Sequence, residues 1–254
     1  SSAAVPAIEG CESGRVYRTV DDVDALVEEI SAFSARHGRA ANVLVVGGGL
    51  LGLEAAGGAA RLGANAAIVH SGRWLMSAQL DEGAGQALGR IIAAAGIRLH
   101  LGVRPTEILT GPSGRVLGAS LTDGTSVSAD IVVFSIGITA RDELARDAGL
   151  TLGARGGVAV DDTCATSAPH VWAIGEVAAI RGEATVGLVA PANAMAEVVA
   201  DRISGGEALF PGVDDATKLK LAGVDVASFG DAMARTEGAL EVVYADPARG
   251  LYQK

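Results

Sequence analysis

Residues 43–56 read VLVVGGGLLGLEAA. Four aliphatic residues run into three glycines, and the chain resumes with the Leu and Ala of a helix. An unbroken apolar run of this kind suits a strand buried on both faces of a parallel sheet. Gly47, Gly49 and Gly52 stand at the junction in GxGxxG spacing, and each has a separate task. Gly47 allows the tight turn, Gly49 lets a pyrophosphate approach the backbone, and Gly52 lets the helix pack close on the strand. The unpaired amides at the helix start favour a negative ligand. The pattern alone is weak; with a strand before it and a helix after it, it predicts a dinucleotide-binding βαβ unit. Gly57 and Gly58 fall inside the helix, where each costs about 1 kcal/mol relative to Ala, and close packing is the expected reason.

Outward from this junction, strands and helices alternate. Residues 21–36 carry Val23, Leu26, Val27 and Ile30 at helical spacing, with Asp21 or Asp22 as N-cap and Gly38 closing the helix. A strand at Asn42–Val46, a helix at Leu50–Leu62, a strand at Asn65–His70, a helix at Ala78–Ala95 and a strand at Arg98–Leu101 follow. Residues 106–137 then read as a meander, with turns at Gly111–Gly114 and Asp123–Gly124. It leads into an apolar strand at Ile131–Ile136 that ends in Gly137. A second, smaller cycle predicts a helix near Asp142–Ala148, strands at Val158–Val160 and Val171–Ile174, and a helix from about Ala192 to Ile203. Further strands are predicted at Lys218–Leu221 and Leu240–Tyr244. The fold class is α/β.

The end of the second strand decides the coenzyme. An Asp or Glu there binds an adenosine 2′-hydroxyl. Here the stretch is AAIVHSGRW, and no carboxylate occurs between Glu54 and Asp81. His70, Ser71 and Arg73 are the candidates, and Arg73 suits a 2′-phosphate. NADPH is allowed and NADH stays open.

Bulk properties narrow the class. A formal charge of -10, with scattered Lys and Arg, argues against a nucleic-acid partner. Nothing approaches the ~20 apolar residues of a membrane span, and SSAAVPAIEG lacks signal-peptide architecture, so the expected compartment is cytoplasmic. Cys11 and Cys164 are far apart and form no CxxC, which leaves them structural. His37, His70, His100 and His170 show no ligand spacing, so no metal site is expected.

Three features point one way: the Glu two residues past the last glycine of GGGLLGLEAA, the strand IVVFSIG ending in glycine, and TSAPHVWAIGE. Together they resemble the flavoprotein oxidoreductases with two dinucleotide-binding domains, in which an NAD(P)H domain is inserted into an FAD domain. More narrowly, YRTVDDVDAL, GGGLLGLEAA, LMSAQLD, GLVAP and TKLKLAGVDVASFGD resemble the flavoprotein portion of assimilatory NAD(P)H nitrite reductases and the electron-transfer subunits of nitrate assimilation.

The resemblance implies a Rossmann-like NAD(P)H domain inserted into a partial FAD-binding domain. Its boundaries would be residues 1–40 for an FAD-domain remnant with a linking helix, 41–138 for the NAD(P)H domain, 139–207 for the second FAD part, and 208–254 for the start of a C-terminal α+β domain. Gly47, Gly49 and Gly52 would hold the NAD(P)H pyrophosphate and Gly137 would lie against the nicotinamide nucleotide. Glu54 resembles the family's acid near the nicotinamide–flavin contact, the catalytic candidate. Gly175 and Glu176 match the strand-end motif that meets FAD; Glu is what the nitrite reductase branch carries where the wider superfamily has Asp. After GLVAP, which ends at Pro191, the amides of Ala192 and Asn193 would open a helix facing the flavin. SSAAVPAIEG resembles the stretch after the family's Ala-Thr-Gly, so the FAD glycine fingerprint is not among these residues and the chain reads as a fragment.

The expected function is FAD-dependent transfer of hydride-derived electrons from NAD(P)H to an acceptor protein or domain. The acceptor would be iron–sulfur or sirohaem in type, or rubredoxin-like, with a homodimer as a candidate assembly. A rubredoxin- or ferredoxin-type reductase, and an NAD(P)H-binding module without turnover, are the competing readings. The cofactors would carry the chemistry and the protein would position them.

Overall fold

The computed structural model describes residues 1–183, 185–213, 216–221 and 223–254, with Lys220 described by its backbone only. Ala184, Asp214 and Asp215 lie outside the described residues, as does Ala222 within TKLKLAGVDVASFGD. The chain divides into two compact units, residues 3–136 with 216–254, and residues 137–215 with 1–2.

The first unit is a Rossmann-like α/β layer structure. Its elements are β1 (Arg15–Val16), α1 (Val20–His37), β2 (Asn42–Val46), α2 (Leu50–Arg61), β3 (Asn65–His70), α3 (Glu82–Ala94), β4 (Arg98–Leu101), β5 (Pro105–Thr110), β6 (Val116–Leu121), β7 (Ser126–Ser128) and β8 (Ile131–Phe134). A parallel five-stranded sheet runs in the order β1-β8-β2-β3-β4. The antiparallel meander β5-β6-β7 forms a second sheet.

The apolar run of β2 is explained by two covers. Val43 and Val45 enter a core with Leu53, Ala56, Ile68, Leu88 and Ile92. Leu44 and Val46 enter a second core with Phe134 and the meander residues Ile108, Val116 and Leu121. Alternate side chains of a strand point to opposite faces, so residues 43–46, covered on both sides, have no polar position. From β2 the chain moves outward to β3 and β4, and β8 returns on the other side of β2. The direction of winding therefore switches between the carboxyl ends of β2 and β8, where ligands bind in open α/β sheets.

Several boundaries differ from expectation for local reasons. α1 is capped by Thr19, not Asp21 or Asp22: Asp22 sits at the third helical position and closes a reciprocal capping box with Thr19. Gly38 ends this helix at φ +64°. α3 begins at Glu82, not Ala78, because Asp81 accepts the Ala84 amide at 2.8 Å as its cap. The residues before it are committed elsewhere, with Trp74 Nε1 donating to the Leu80 carbonyl at 2.9 Å. β8 ends at Phe134, short of Ile136, since its partner β2 turns away at Gly47.

The second unit holds α4 (Glu143–Asp147), β9 (Val158–Val160), β10 (Ala178–Ile180) and α5 (Val189–Ile203), with β9 and β10 parallel. Val160, Cys164, Ala178, Met195, Val198 and Phe210 form its core. The strand expected at Val171–Ile174 is reduced to one bridge, Trp172 to Ala165; β9 pairs instead with β10, after a 3-10 turn at Gly175–Val177. His170, at φ +62°, breaks the extended run just before it. α5 starts three residues ahead of the expected Ala192. Proline is tolerated in a first turn, where no intrahelical donor is needed, so Pro191 lies inside the helix.

Residues 216–254 form β11 (Thr217–Leu221), β12 (Val224–Ser228), β13 (Tyr244–Asp246) and β14 (Leu251–Gln253), two antiparallel hairpins. Leu219 and Val224 join the core above α2, so this stretch packs with residues 3–136. The approach of Leu221 to α2 also explains Gly57, where a Cβ would collide with the Leu221 Cδ1. The strand expected from Leu240 begins only at Tyr244; Leu240 and Val242 are 95% and 81% exposed and have no sheet neighbour to pack on.

Candidate functional site

The glycine turn sits at the switch point. Gly47, at φ +125°, donates its amide to the Val69 carbonyl at 2.8 Å, and a Cβ there would run into the Ser135 carbonyl. A Cβ on Gly52 would collide with the Gly47 carbonyl. Gly49 differs: it is the N-cap of α2, and nothing lies within 4 Å of the place where its Cβ would stand. Two of the glycines are therefore demanded by the fold, while the third opens onto free space. The first intrahelical bond is donated by Leu53 to the Gly49 carbonyl at 3.0 Å. The amides of Leu50, Leu51 and Gly52 precede it and have no partner within the helix. No side chain caps them, and no acidic residue occupies the first turn. The result is a positive, open helix end fitted to an anion.

His70 and Arg73 follow the second strand but are placed differently. The His70 ring lies beneath the turn, with Nδ1 accepting the Gly48 amide at 3.2 Å. Its Nε2 is buried without a hydrogen-bond partner; an unpaired buried donor costs roughly 1–3 kcal/mol. Burial pushes the His70 pKa down. The Trp74 backbone, close but outside bonding geometry, offsets this in part. Accepting the Gly48 amide through Nδ1 requires a lone pair on that nitrogen, as in the neutral ring. The Arg73 side chain is 79% exposed, with Glu82 Oε1 at 3.8 Å from its guanidinium. That is a weak surface pair, and it leaves Arg73 free to meet a ligand.

Glu54 lies one turn into α2, half-buried. Burial, and secondarily the Glu54 carboxylate, raise the pKa of Tyr17. Nothing local in the sequence links Tyr17 to Glu54. Gly137, at φ +112°, follows β8 after Ser135 and Ile136.

In the second unit, Gly175 takes φ +75° and donates its amide to the Met195 sulfur at 3.2 Å. A Cβ on Gly175 would come within 3.8 Å of the Ala192 Cβ, and Glu176 Oε2 lies 3.8 Å from the Cβ position of Gly187. Gly175, Glu176 and the first turns of α5 are therefore brought together. The free amides at that helix start belong to Val189 and Ala190, with no side-chain cap on Leu188. Ala192 and Asn193, the expected donors, follow in the same first turns of α5. Among the described residues no cluster of side chains suited to a metal ion occurs, and no helix is long and apolar enough to cross a membrane.

The sequence matches the family described as pyridine nucleotide-disulphide oxidoreductase over residues 1–197. The chain belongs to the pyridine nucleotide-disulphide oxidoreductase family. Within reach of it is the nitrite reductase (NADH) large subunit of Escherichia coli (strain K12), 41% identical over 252 residues, which cover 98% of this chain and 29% of that protein. The assimilatory nitrate reductase electron transfer subunit of Bacillus subtilis (strain 168) is 32% identical, covering 100% of this chain and 32% of the relative. The chain thus spans about a third or less of these relatives. Among solved structures, a ferredoxin reductase from Rhodopseudomonas palustris superposes with a TM-score of 0.84 at 27% identity, over 98% of this chain and 60% of that one. The Rossmann-like fold of this oxidoreductase family is the fold expected from GGGLLGLEAA.

Proposed function

We propose that this chain handles NAD(P)H in an FAD-dependent oxidoreductase that delivers electrons to a downstream acceptor in nitrite or nitrate assimilation. The observation that carries the reading is the glycine turn at the switch point, where Gly49 faces open space and the α2 amides are uncapped. Its similarity to nitrite and nitrate reductase components along nearly the full chain supports the pathway.

In this reading the amides of Leu50, Leu51 and Gly52 donate to the pyrophosphate, Gly47 and Gly52 shape the turn, and Gly49 leaves the room. Arg73 offers its charge to a 2′-phosphate in competition with Glu82. Gly137 presents bare backbone to the nicotinamide nucleotide, and Glu54 is the acid assigned to that end. Bound FAD supplies a hydride acceptor that passes electrons onward. On its side, Gly175 turns the chain and Glu176 offers a carboxylate to ribityl hydroxyls. The uncapped α5 start, Val189 and Ala190 ahead of Pro191, would favour negative charge on a flavin held there. Ala192 and Asn193, in the same turns, present their amides toward that end. The acceptor is a protein or domain of iron–sulfur, sirohaem or rubredoxin type.

A visible absorption spectrum of the purified chain, before and after anaerobic NADPH addition, tests this. A yellow protein that bleaches is expected. A colourless protein that binds NADPH removes FAD from the assignment, and one that binds neither overturns the reading.

A further inference from the structure

The middle glycine of the turn, Gly48, is outside the GxGxxG positions, yet the structure needs a glycine there. A Cβ on Gly48 would lie 2.7 Å from His70 Cγ and 2.8 Å from a Leu75 methyl; a Cβ on Gly72 would lie 2.6 Å from His70 Nε2. Two glycines clear space for one imidazole. The ring in turn accepts the Gly48 amide through Nδ1, while the Gly48 carbonyl accepts the Met76 amide at 2.8 Å. Gly48, in the middle of the turn, is thus held through both its amide and its carbonyl by β3 and the loop after it. Its other ring nitrogen is buried and unpartnered. An aliphatic side chain would fill the same place without leaving a donor unpaired, so the acceptor at Nδ1 is what a histidine adds.

We infer that His70 is a positioning residue for the dinucleotide: its neutral imidazole holds the glycine turn in the form that receives a pyrophosphate, and protonation releases it. The inference rests on the NAD(P)H reading above. A doubly protonated ring has no lone pair for the Gly48 amide and would set two donors against each other. The ionisable groups on the surrounding elements are Glu54 and Arg61 on α2, Arg73 and Asp81 in the loop, Arg98 and His100 on β4 and Arg104 just beyond it. Among the described residues none is hydrogen-bonded to the ring, so burial dominates its titration.

The test is the Kd for NADH, measured on the full chain from about pH 8 down to about pH 5, across the histidine range. NADH is the probe because it lacks the titrating 2′-phosphate. For the native chain, affinity is expected to fall as the pH drops below about 6.5. His70→Leu, without an acceptor, should bind about three- to tenfold more weakly near pH 8, with no further loss in acid. His70→Asn places an amide oxygen near the Nδ1 position and does not titrate. It should restore native affinity near pH 8 and keep it in acid. An asparagine variant that still loses affinity in acid, or a leucine variant that binds as the native chain does, overturns the inference. If the leucine variant does not fold, the acid limb of the asparagine variant decides alone. A native chain that binds no NADH at any pH overturns the nucleotide reading instead.

Discussion

Gly49 and Gly52 are three residues apart and do opposite things. A side chain at Gly49 projects into open space, so Gly49→Val should cost only the N-cap preference for Gly, about 1 kcal/mol or less, while weakening NADH binding by about 100-fold or more, ~2.7 kcal/mol. At Gly52 the added Cβ meets the Gly47 carbonyl. Gly52→Val should therefore destabilise the fold itself, by about 1–3 kcal/mol, visible in urea denaturation without any ligand. If both variants lose stability equally, the open space at Gly49 is not a ligand cradle. Arg73 gives a third outcome at this scale. Arg73→Ala should raise the Kd for NADPH more than that for NADH, since only the former carries the phosphate that would draw Arg73 from Glu82. Equal effects would remove it from that role. The three fingerprint glycines were legible from spacing alone. The role of Gly48 was not, because it depends on a residue far along the chain, His70.

Helix ends show the same division between elements. The caps Thr19 and Asp81 satisfy their helices through bonds to residues three positions on, yet both helix starts were misplaced from composition. Acidic residues crowd each region, and only the backbone path decides which of them sits at the cap. The α5 start was misplaced for another reason, since Pro191 suits a first turn as well as the residue before one. Asp142 anchors the second unit: its buried carboxylate accepts the Gly157 amide at 2.7 Å and pairs with Arg146 at 2.7 Å. Asp142→Ala leaves that amide buried and unpaired, so a loss of about 1–3 kcal/mol is expected in thermal unfolding. Asp142→Asn, which keeps an acceptor, should cost less.

Across the whole molecule, the titrating groups predict a two-stage acid response. His70 is held below its ordinary value by burial, so between the two pKa values the unfolded chain binds the proton that the folded chain resists. Its contribution is complete above about pH 6.5 and is lost progressively as the pH falls below that. Asp81 and Asp130 are held below the carboxylate range: burial opposes this, but the Ala84 amide, Tyr252 and Lys254 outweigh it at Asp81, and Arg39 and Asn42 at Asp130. Their contribution is present above about pH 4 and disappears below it. Melting temperature should fall first as the pH drops below about 6.5, and again below about pH 4. His70→Asn should abolish only the first step; a melting temperature that rises on acidification through the first range contradicts the assignment.

The parallel sheet, its glycine turn and its flanking helices were readable along the chain because each rests on local pattern: an unbroken apolar run, glycines at fixed spacing, and helical periodicity. Where residues 216–254 pack, which strand pairs with β9, where α5 starts, and which ring fills the space over Gly48 were settled only in three dimensions. Those outcomes depend on contacts between residues far apart in the chain, such as Leu221 against Gly57 and His70 against Gly48, and no short window of sequence contains both partners.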